Sequence, residues 1–241
     1  MKVVILAGGL GSRLGEITKT IPKPMVKVLK IPILSHIINH YYKFGFTDFV
    51  ISTGYKSQII KDYYAKKLDK KKNNDPVLNL LNKNKIKLQS INTGIKTMTG
   101  GRVRRLNKIL SKENTFLMTY GDGLSNINLK KLLEFHKKNK KIATITAVHP
   151  SARFGEILIK NNLVTSFKEK PQTKKDWING GFFVCEKEFL NYIKNDETIL
   201  EAYPLEKLSE IKQLAAFKHN GFWHCVDTPR DILILEDILN K

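Results

Sequence analysis

Short apolar, β-branched runs alternate along this chain with segments whose apolar residues recur every three or four positions. The runs predict buried strands, the second pattern predicts amphipathic helices, and their alternation is typical of βαβ units around a largely parallel sheet. In the first part of the chain the predicted strands are residues 2–7, 48–53, 86–91, 115–120 and 141–148, and the predicted helices are residues 32–44, 56–68 and 129–138. The Lys- and Asn-rich stretch 69–85 is predicted to be a surface excursion.

The pattern changes after Pro150. Two short runs, 154–160 and 163–169, flank the pair Asn161-Asn162, which is typical of a β-hairpin turn. Further predicted strands cover 178–184, 213–219 and 221–226, and a closing helix covers 229–240. We therefore expect an α/β fold, Rossmann-like, with a mostly parallel sheet flanked by helices and a small β-rich extension in the second half. We expect one domain over residues 1–241, with a core over 1–150 and a second part over 151–241.

Composition narrows the class of protein. The 241 residues are 41% hydrophobic and 27% charged, which is ordinary for a globular chain and excludes disordered and collagen-like classes. Two cysteines forty positions apart argue against a disulfide framework or a zinc finger. The apolar runs are too short to span a bilayer, and Met1 leads directly into a strand-like run without an export signal, so we expect a cytoplasmic, reduced protein.

The chain is strongly basic, with 42 Lys and Arg against 22 acids and a net charge of +20. Most of these cations are lysines dispersed along the chain, which is typical of a solvated surface. The charge could also attract anions such as nucleotides, or bind nucleic acid without sequence preference.

The first predicted strand runs into a glycine-rich turn, Gly8-Gly9-Leu10-Gly11-Ser12-Arg13-Leu14. Exposed backbone N–H groups in such a turn suit phosphate oxygens, although the spacing fits neither the dinucleotide fingerprint nor the P-loop. Lys23 follows between two prolines, which stiffen the loop that presents its ammonium. Two cations beside backbone donors indicate a triphosphate or pyrophosphate cradle, and the alternative is a purely structural turn.

Two aspartates follow predicted strands, Asp122 between two glycines and Asp227 near the closing helix. Ligand chemistry in a parallel sheet gathers beyond the carboxyl ends of strands, where an aspartate can hold Mg²⁺ on a phosphate. Asp122 could instead be an Asx-turn residue. Asp227 could merely flank a helix that Thr228 and Asp231 cap.

Two more clusters carry suitable chemistry. Glu169 and Lys170 come at a predicted strand end, and Asn179-Gly180 follows about ten residues later. Acid, amide and glycine groups suit sugar hydroxyls, and a lysine suits a sugar phosphate; a solvated strand end and a structural turn are the alternative. Residues 98–102 open a predicted helix with two glycines, a candidate anion-binding terminus.

These motifs resemble, in order and over nearly the whole chain, the sugar-1-phosphate nucleotidyltransferase family, and within it the glucose-1-phosphate cytidylyltransferase branch. The resemblance implies an enzyme with a nucleotide-binding core over 1–150 and a sugar-phosphate-binding part over 151–241. It implies a Mg²⁺-dependent reaction of CTP with α-D-glucose 1-phosphate that gives CDP-glucose and pyrophosphate. We expect a homo-oligomer without a specific nucleic-acid partner and without a membrane partner.

The resemblance also implies a role for each matching residue. Arg13, Lys23 and Asp122 would be catalytic; Leu6, Ala7, Gly8, Gly9, Gly11, Ser12, Arg13 and Lys23 would bind the nucleotide; Arg102, Gly121, Glu169, Lys170, Asn179 and Gly180 would bind the sugar phosphate; Asp122 and Asp227 would hold Mg²⁺. Ser12 stands where the family usually has Thr, and Ile21 where an Arg often precedes the Pro-Lys-Pro stretch.

Three alternatives stay open at this point. One is the same reaction with another base, from UTP, dTTP or GTP, or with another sugar. The second is a basic nucleic-acid-binding module, which leaves the glycine turns at strand ends unexplained. The third is a sensor that binds a nucleotide sugar without turnover.

Overall fold

The computed structural model describes residues 1–65, 74–150, 155–168 and 176–240. The strands, in chain order, are β1 (Val3–Ala7), β2 (Lys27–Val28), β3 (Ile31–Pro32), β4 (Asp48–Thr53), β5 (Lys87–Asn92), β6 (Thr115–Tyr120), β7 (Gly123–Ser125), β8 (Ala143–Val148), β9 (Glu156–Lys160), β10 (Leu163–Lys168), β11 (Ile178–Glu186), β12 (Leu214–His219) and β13 (Trp223–Cys225). The α-helices are α1 (Glu16–Thr20), α2 (Ile33–Lys43), α3 (Ser57–Ala65), α4 (Pro76–Asn82), α5 (Thr99–Arg104), α6 (Asn107–Leu110), α7 (Leu129–Asn139), α8 (Tyr203–Glu210) and α9 (Pro229–Leu239). Short 3₁₀ turns cover Ser12–Leu14, Lys23–Met25 and Lys187–Tyr192.

Seven of the described strands form the central sheet, in the order β12-β8-β11-β6-β1-β4-β5. Neighbours pair in parallel except β11, which runs antiparallel to both β6 and β8. The predicted α/β class with a mostly parallel, Rossmann-like sheet is confirmed. Strands from both sides of residue 150 join this sheet, and the division of the chain at that point stays a prediction.

Helices cover both faces of the sheet because successive side chains of a buried strand point to opposite faces. Val3 and Ile5 of β1 belong to one core cluster, which α2, α3, α4, α7 and α9 cover. Val4 and Leu6 belong to the other cluster, which α5, α6 and α8 cover. The near-continuous apolar runs of the sequence are therefore strands buried on both faces.

The strand order reverses at β1, which pairs with β6 on one side and with β4 on the other. Leu6 lies opposite Tyr120, so the glycine turn after β1 and the Gly121-Asp122 segment after β6 leave the sheet side by side. Such a switch point leaves a crevice outside the carboxyl ends of the strands.

The β-rich extension consists of small two-stranded sheets. β9 and β10 form an antiparallel hairpin, and β7 pairs with β13. The apolar side chains of the hairpin are exposed to solvent: Ile157, Leu158, Ile159, Leu163, Val164 and Phe167. None of the helices in the described ranges is long and apolar enough to cross a membrane.

One expectation about secondary structure is wrong. The stretch 69–85 was predicted as a surface excursion, but residues 76–82 form α4, whose Val77 and Leu78 are buried. Asp75 caps this helix by accepting a hydrogen bond from Val77 N at 2.8 Å, and Pro76 occupies the first helical position. An aspartate followed by proline and an apolar run is a helix-start signal, and the surrounding lysines and asparagines obscured it.

Candidate active site

Two carboxylates and two cations meet where β1 and β6 end. The Lys23 ammonium donates hydrogen bonds to Asp122 Oδ2 at 2.7 Å and to Asp227 Oδ1 at 2.8 Å. Arg13 donates to the other oxygen of Asp227 at 2.6 Å. Residues from three distant parts of the chain thus form one ion-pair network.

The backbone pairing of β7 with β13 brings the two aspartates together. Gly123 lies opposite Cys225 in this pair, and Val226 N donates to the Asp122 carbonyl at 2.9 Å. Both aspartates therefore lie at the same end of this strand pair, and both side chains bind Lys23. A single residue of register shift would separate the two carboxylates.

The backbone position of Asp227 also depends on the first turn of α9. Thr228 and Asp231 form a capping box, and Asp231 Oδ2 accepts from Thr228 N at 2.6 Å and from Asp227 N at 2.9 Å. The helix cap weighed as an alternative for this region exists, and it fixes the backbone of Asp227 rather than replacing its role in the ion-pair network.

Lys23 is presented by the proline-flanked 3₁₀ turn, and its side chain is only 13% exposed. Gly11 leaves room for it: a Cβ on Gly11 would lie 2.8 Å from the Lys23 Cβ, and the φ of Gly11 is +68°, which favours glycine. The glycine turn and Lys23 therefore pack directly against each other.

Burial and charge act in opposite directions on this network. Burial lowers the pKa of Lys23, but Asp122 and Asp227 outweigh it and the pKa is raised. Burial raises the pKa of Asp227, but its bonds to Lys23 and the charge of Arg13 outweigh it and the pKa is lowered. Both groups are therefore held in their charged forms.

Arg102 lies beneath the glycine turn and is only 4% exposed. Its terminal nitrogens donate to four backbone carbonyls and to the Thr93 hydroxyl; the carbonyls are those of Gly8 (2.8 Å), Gly94 (2.8 Å), Thr53 (3.3 Å) and Ile95 (3.4 Å). The two terminal nitrogens of Arg102 are thus bonded within the protein, and a direct contact with the sugar phosphate stays a prediction.

The glycines at the start of α5 are not an anion site. Gly100 N and Gly101 N both donate to the carbonyl of Thr198, at 2.9 and 3.2 Å. A Cβ on Gly101 would lie 2.2 Å from the Asp196 carbonyl oxygen, so the two glycines permit a close approach of the segment before α8. The expectation of an anion-binding terminus is wrong because this segment already occupies the N–H groups.

A cavity of about 780 Å³ opens over the ion-pair network. It is lined by Leu6, the turn residues 9–13, Lys23, Pro24, residues 95–99, Arg102, residues 120–122 and Glu201. In the described part of the chain no group of three or more His, Cys, Asp or Glu side chains is arranged to hold a metal ion, and the two aspartates at Lys23 are the candidate pair for one.

The other residues predicted to bind the sugar phosphate lie in different places. Gly121 lines the cavity and donates its N–H to the Leu6 carbonyl at 3.0 Å. Asn179 and Gly180 lie in β11, and the Asn179 amide donates to the Tyr120 hydroxyl at 3.5 Å. Glu169 and Lys170 lie outside the described residues.

Tyr120 and Glu201 are among the residues of the cavity wall that sequence reasoning did not assign to the site. Tyr120 is the last residue of a correctly predicted strand, so its place beside Gly121 was a usable signal. Glu201 precedes a helix that was not predicted, and no motif surrounds it.

Comparison with known proteins decides the family. The family described as "Nucleotidyl transferase" matches residues 2–239. The chain belongs to the nucleotidyl transferase family. This nucleotidyl transferase is 41% identical over 251 residues to the glucose-1-phosphate cytidylyltransferase of Salmonella typhimurium, an alignment that covers 100% of this chain and 96% of the relative. It is 36% identical to the probable glucose-1-phosphate cytidylyltransferase of Bacillus subtilis, covering 100% of this chain and 97% of that relative.

Solved structures agree with this nucleotidyl transferase fold. HddC from Yersinia pseudotuberculosis superposes with a TM-score of 0.74 at 25% identity, with 99% of each chain covered. A UDP-glucose pyrophosphorylase superposes with a TM-score of 0.77 at 17% identity, covering 99% of this chain and 98% of that one. The second likeness concerns the fold alone.

Proposed function

We propose that this nucleotidyl transferase is a Mg²⁺-dependent enzyme that transfers a cytidylyl group from CTP to α-D-glucose 1-phosphate, with release of pyrophosphate. The observation that carries the reaction class is the meeting of Lys23 and Arg13 with two aspartates at the mouth of the cavity. The choice of CTP and glucose rests on the full-length similarity to relatives that bear this activity in their names.

The reaction requires positioning and charge more than proton transfer. A phosphate oxygen of the sugar phosphate attacks the α-phosphorus of CTP, the bond to the β-phosphate breaks, and pyrophosphate leaves with its electron pair. The attacking oxygen is already anionic, so no general base is needed. The barrier comes from bringing two anions together, and aligned fixed cations lower it.

We assign roles on this basis. The backbone of the turn from Leu6 to Ser12 holds the nucleotide, while Arg13 and Lys23 neutralise the β- and γ-phosphates. Arg102 supplies a fixed positive charge beneath the turn. The Glu169 carboxylate accepts hydrogen bonds from glucose hydroxyls, the Asn179 amide also contacts these hydroxyls, and Lys170 binds the sugar phosphate.

The donor set fits a magnesium ion. Mg²⁺ in nucleotide enzymes usually takes one or two protein carboxylates together with phosphate oxygens and water. Asp122 and Asp227 would hold it, and the bound ion would neutralise phosphate charge during transfer. Lys23 and Arg13 pair with these same carboxylates, so they are available to move to the phosphates once a metal ion takes their place.

We also propose that the enzyme is a homo-oligomer. The β9–β10 hairpin supports this, because an isolated two-stranded hairpin with its apolar side chains in water is marginally stable on its own.

The substrate proposal is tested by pyrophosphate release with CTP, UTP, dTTP and GTP, each against several sugar 1-phosphates. CTP with glucose 1-phosphate should give the highest kcat/KM, and equal or higher turnover with UTP would overturn the cytidylyl assignment. Lys23→Met should abolish most of the activity, whereas the matched variant at the exposed Lys27, Lys27→Met, should retain it.

A further inference from the structure

Two acids lie on the wall of the cavity, Asp122 and Glu201, and Asp122 is paired with Lys23. Glu201 Oε1 accepts a hydrogen bond from the Tyr120 hydroxyl, and its Oε2 accepts one from the Thr99 hydroxyl at 2.7 Å. In the described part of the chain it makes no ion pair. The exposed carboxylate is thus held in place by two neutral donors.

The backbone around Glu201 is fixed against α5. Met98 N donates to the Asp196 carbonyl at 2.9 Å, and Leu200 N donates to the Thr99 hydroxyl at 2.9 Å. The close approach of this segment to Gly100 and Gly101 leaves little room for it to shift. The position of Glu201 is therefore built into the fold rather than being that of a free surface side chain.

The neighbours of Glu201 define what it can recognise. The Tyr120 hydroxyl donates a hydrogen bond to the Glu201 carboxylate and accepts one from the Asn179 amide at 3.5 Å. Burial, and next the Glu201 charge, raise the pKa of Tyr120, so its hydroxyl remains a donor. The Glu201 carboxylate, the Tyr120 hydroxyl and the Asn179 amide form a row of hydrogen-bonding groups that matches the hydroxyl groups of a sugar ring. A phosphate suits this place less, because the carboxylate repels it.

A carboxylate has about four lone-pair sites, and the two protein donors use two of them. The others are free to accept hydrogen bonds from a molecule in the cavity. We propose that Glu201 is a specificity-determining residue whose carboxylate accepts hydrogen bonds from a hydroxyl of the bound substrate, on either the ribose of the nucleotide or the ring of the sugar phosphate. This inference rests on the proposed function and adds a contact to the same site.

The test pairs Glu201→Gln with substrates that lack one hydroxyl. KM and kcat are measured for 2′-deoxy- and 3′-deoxy-CTP and for 2-, 3-, 4- and 6-deoxyglucose 1-phosphate, beside the full substrates. A hydrogen bond to a charged acceptor changes binding affinity by a factor of about 10–100. Glu201→Gln should therefore raise KM for one substrate by about that factor, with kcat changed much less. The penalty should disappear for the single deoxy substrate that lacks the partner hydroxyl, and that analogue identifies ribose or hexose.

Two controls separate this contact from a general defect. Glu206→Gln changes an exposed glutamate on α8 and should leave all constants unchanged. Melting temperature shows whether Glu201→Gln folds, and Glu201→Asp, which keeps the charge, serves as the second variant if it does not. Equal losses with every substrate, or no loss with any, would overturn the proposal.

A second measurement distinguishes failure of the proposed function from failure of the Glu201 proposal. Direct binding of each nucleotide and sugar phosphate to the wild-type enzyme is measured by calorimetry alongside turnover. A protein inactive with CTP overturns the cytidylyl assignment. The dependence on Glu201 and on one hydroxyl is still decided by the affinities of the compounds that bind.

Discussion

At the residue scale, Arg102 organises the floor of the cavity. Burial, and next the charge of Arg105, lower its pKa, and carbonyl oxygens from the ends of β1 and β4 and from residues 94–95 compensate for its lost hydration. The residues around it are correspondingly small: a Cβ on Gly8 would lie 2.0 Å from the Arg102 Nη1 atom, and a Cβ on Gly54 would lie 2.5 Å from the same atom. Glycine at these positions is required by the approach of Arg102.

The first prediction compares two neighbouring glycines. Gly8→Ala should lower the free energy of unfolding by about 2–4 kcal/mol, because the new methyl displaces a buried guanidinium from its carbonyl partners. Gly9→Ala is the matched control, since a Cβ there meets nothing within 4 Å. Urea unfolding measures both, and equal stability of the two variants would contradict this account of Arg102.

At the scale of elements, α9 connects stability to the site. Asp231 accepts hydrogen bonds from the backbone N–H groups of Asp227 and Thr228 and from His224 Nε2 at 3.0 Å. The cap of the helix and the position of one candidate metal ligand therefore share the same carboxylate.

The second prediction follows from this shared carboxylate. Asp231→Ala should destabilise the protein by about 1–2 kcal/mol through the lost cap, and should raise the Mg²⁺ concentration needed for half-maximal activity because Asp227 loses its support. Asp231→Asn keeps an acceptor oxygen and should show a smaller effect on both measurements. A destabilised Asp231→Ala with an unchanged Mg²⁺ requirement would show that the cap does not position Asp227.

Elements also show what the sequence could predict. Strands 48–53 and 115–120 match the structure because continuous apolar runs buried on both faces leave a strong signal. α4 and α8 are short, and their buried positions, such as Val77 and Leu205, are few, so periodicity did not distinguish them from loops. Strand ends indicated Asp122 and Asp227, and the family resemblance joined them to Lys23. The place of Glu201 depends on tertiary packing against α5 that no local pattern encodes.

At the scale of the whole molecule, stability should depend on pH below neutrality. Burial is the main cause that lowers the pKa of His40 to about 4, with Lys43 and His219 adding to it, and burial lowers the pKa of His219 in the same direction. The Nε2–H group of His40 donates a hydrogen bond to the Ile127 carbonyl at 3.0 Å, and the ring packs between Phe44 and Phe182. Burial of the ring favours its neutral form in the folded state.

The third prediction takes its sign from the lowered pKa. A histidine with a folded-state pKa near 4 and an unfolded value of 6.5 contributes stability that is fully present above pH 6.5 and is lost as the pH falls towards 4. Protonation of His40 in the unfolded chain should lower the free energy of unfolding by about 3 kcal/mol at pH 4. Urea unfolding at several pH values measures it, and His40→Gln should reduce the slope between pH 6.5 and 4. An equal slope in both proteins would assign the effect elsewhere.

The ion-pair network at the end of β1 and β6 is the centre of the proposed function, and Asp122→Asn tests it most directly. The variant keeps the size of the side chain and removes the charge that would hold Mg²⁺, so kcat with CTP and glucose 1-phosphate should fall at least about 100-fold. Binding of CTP without metal should change little. The control Asp62→Asn, on the exposed face of α3, should keep wild-type activity. Wild-type kcat in Asp122→Asn would contradict the account.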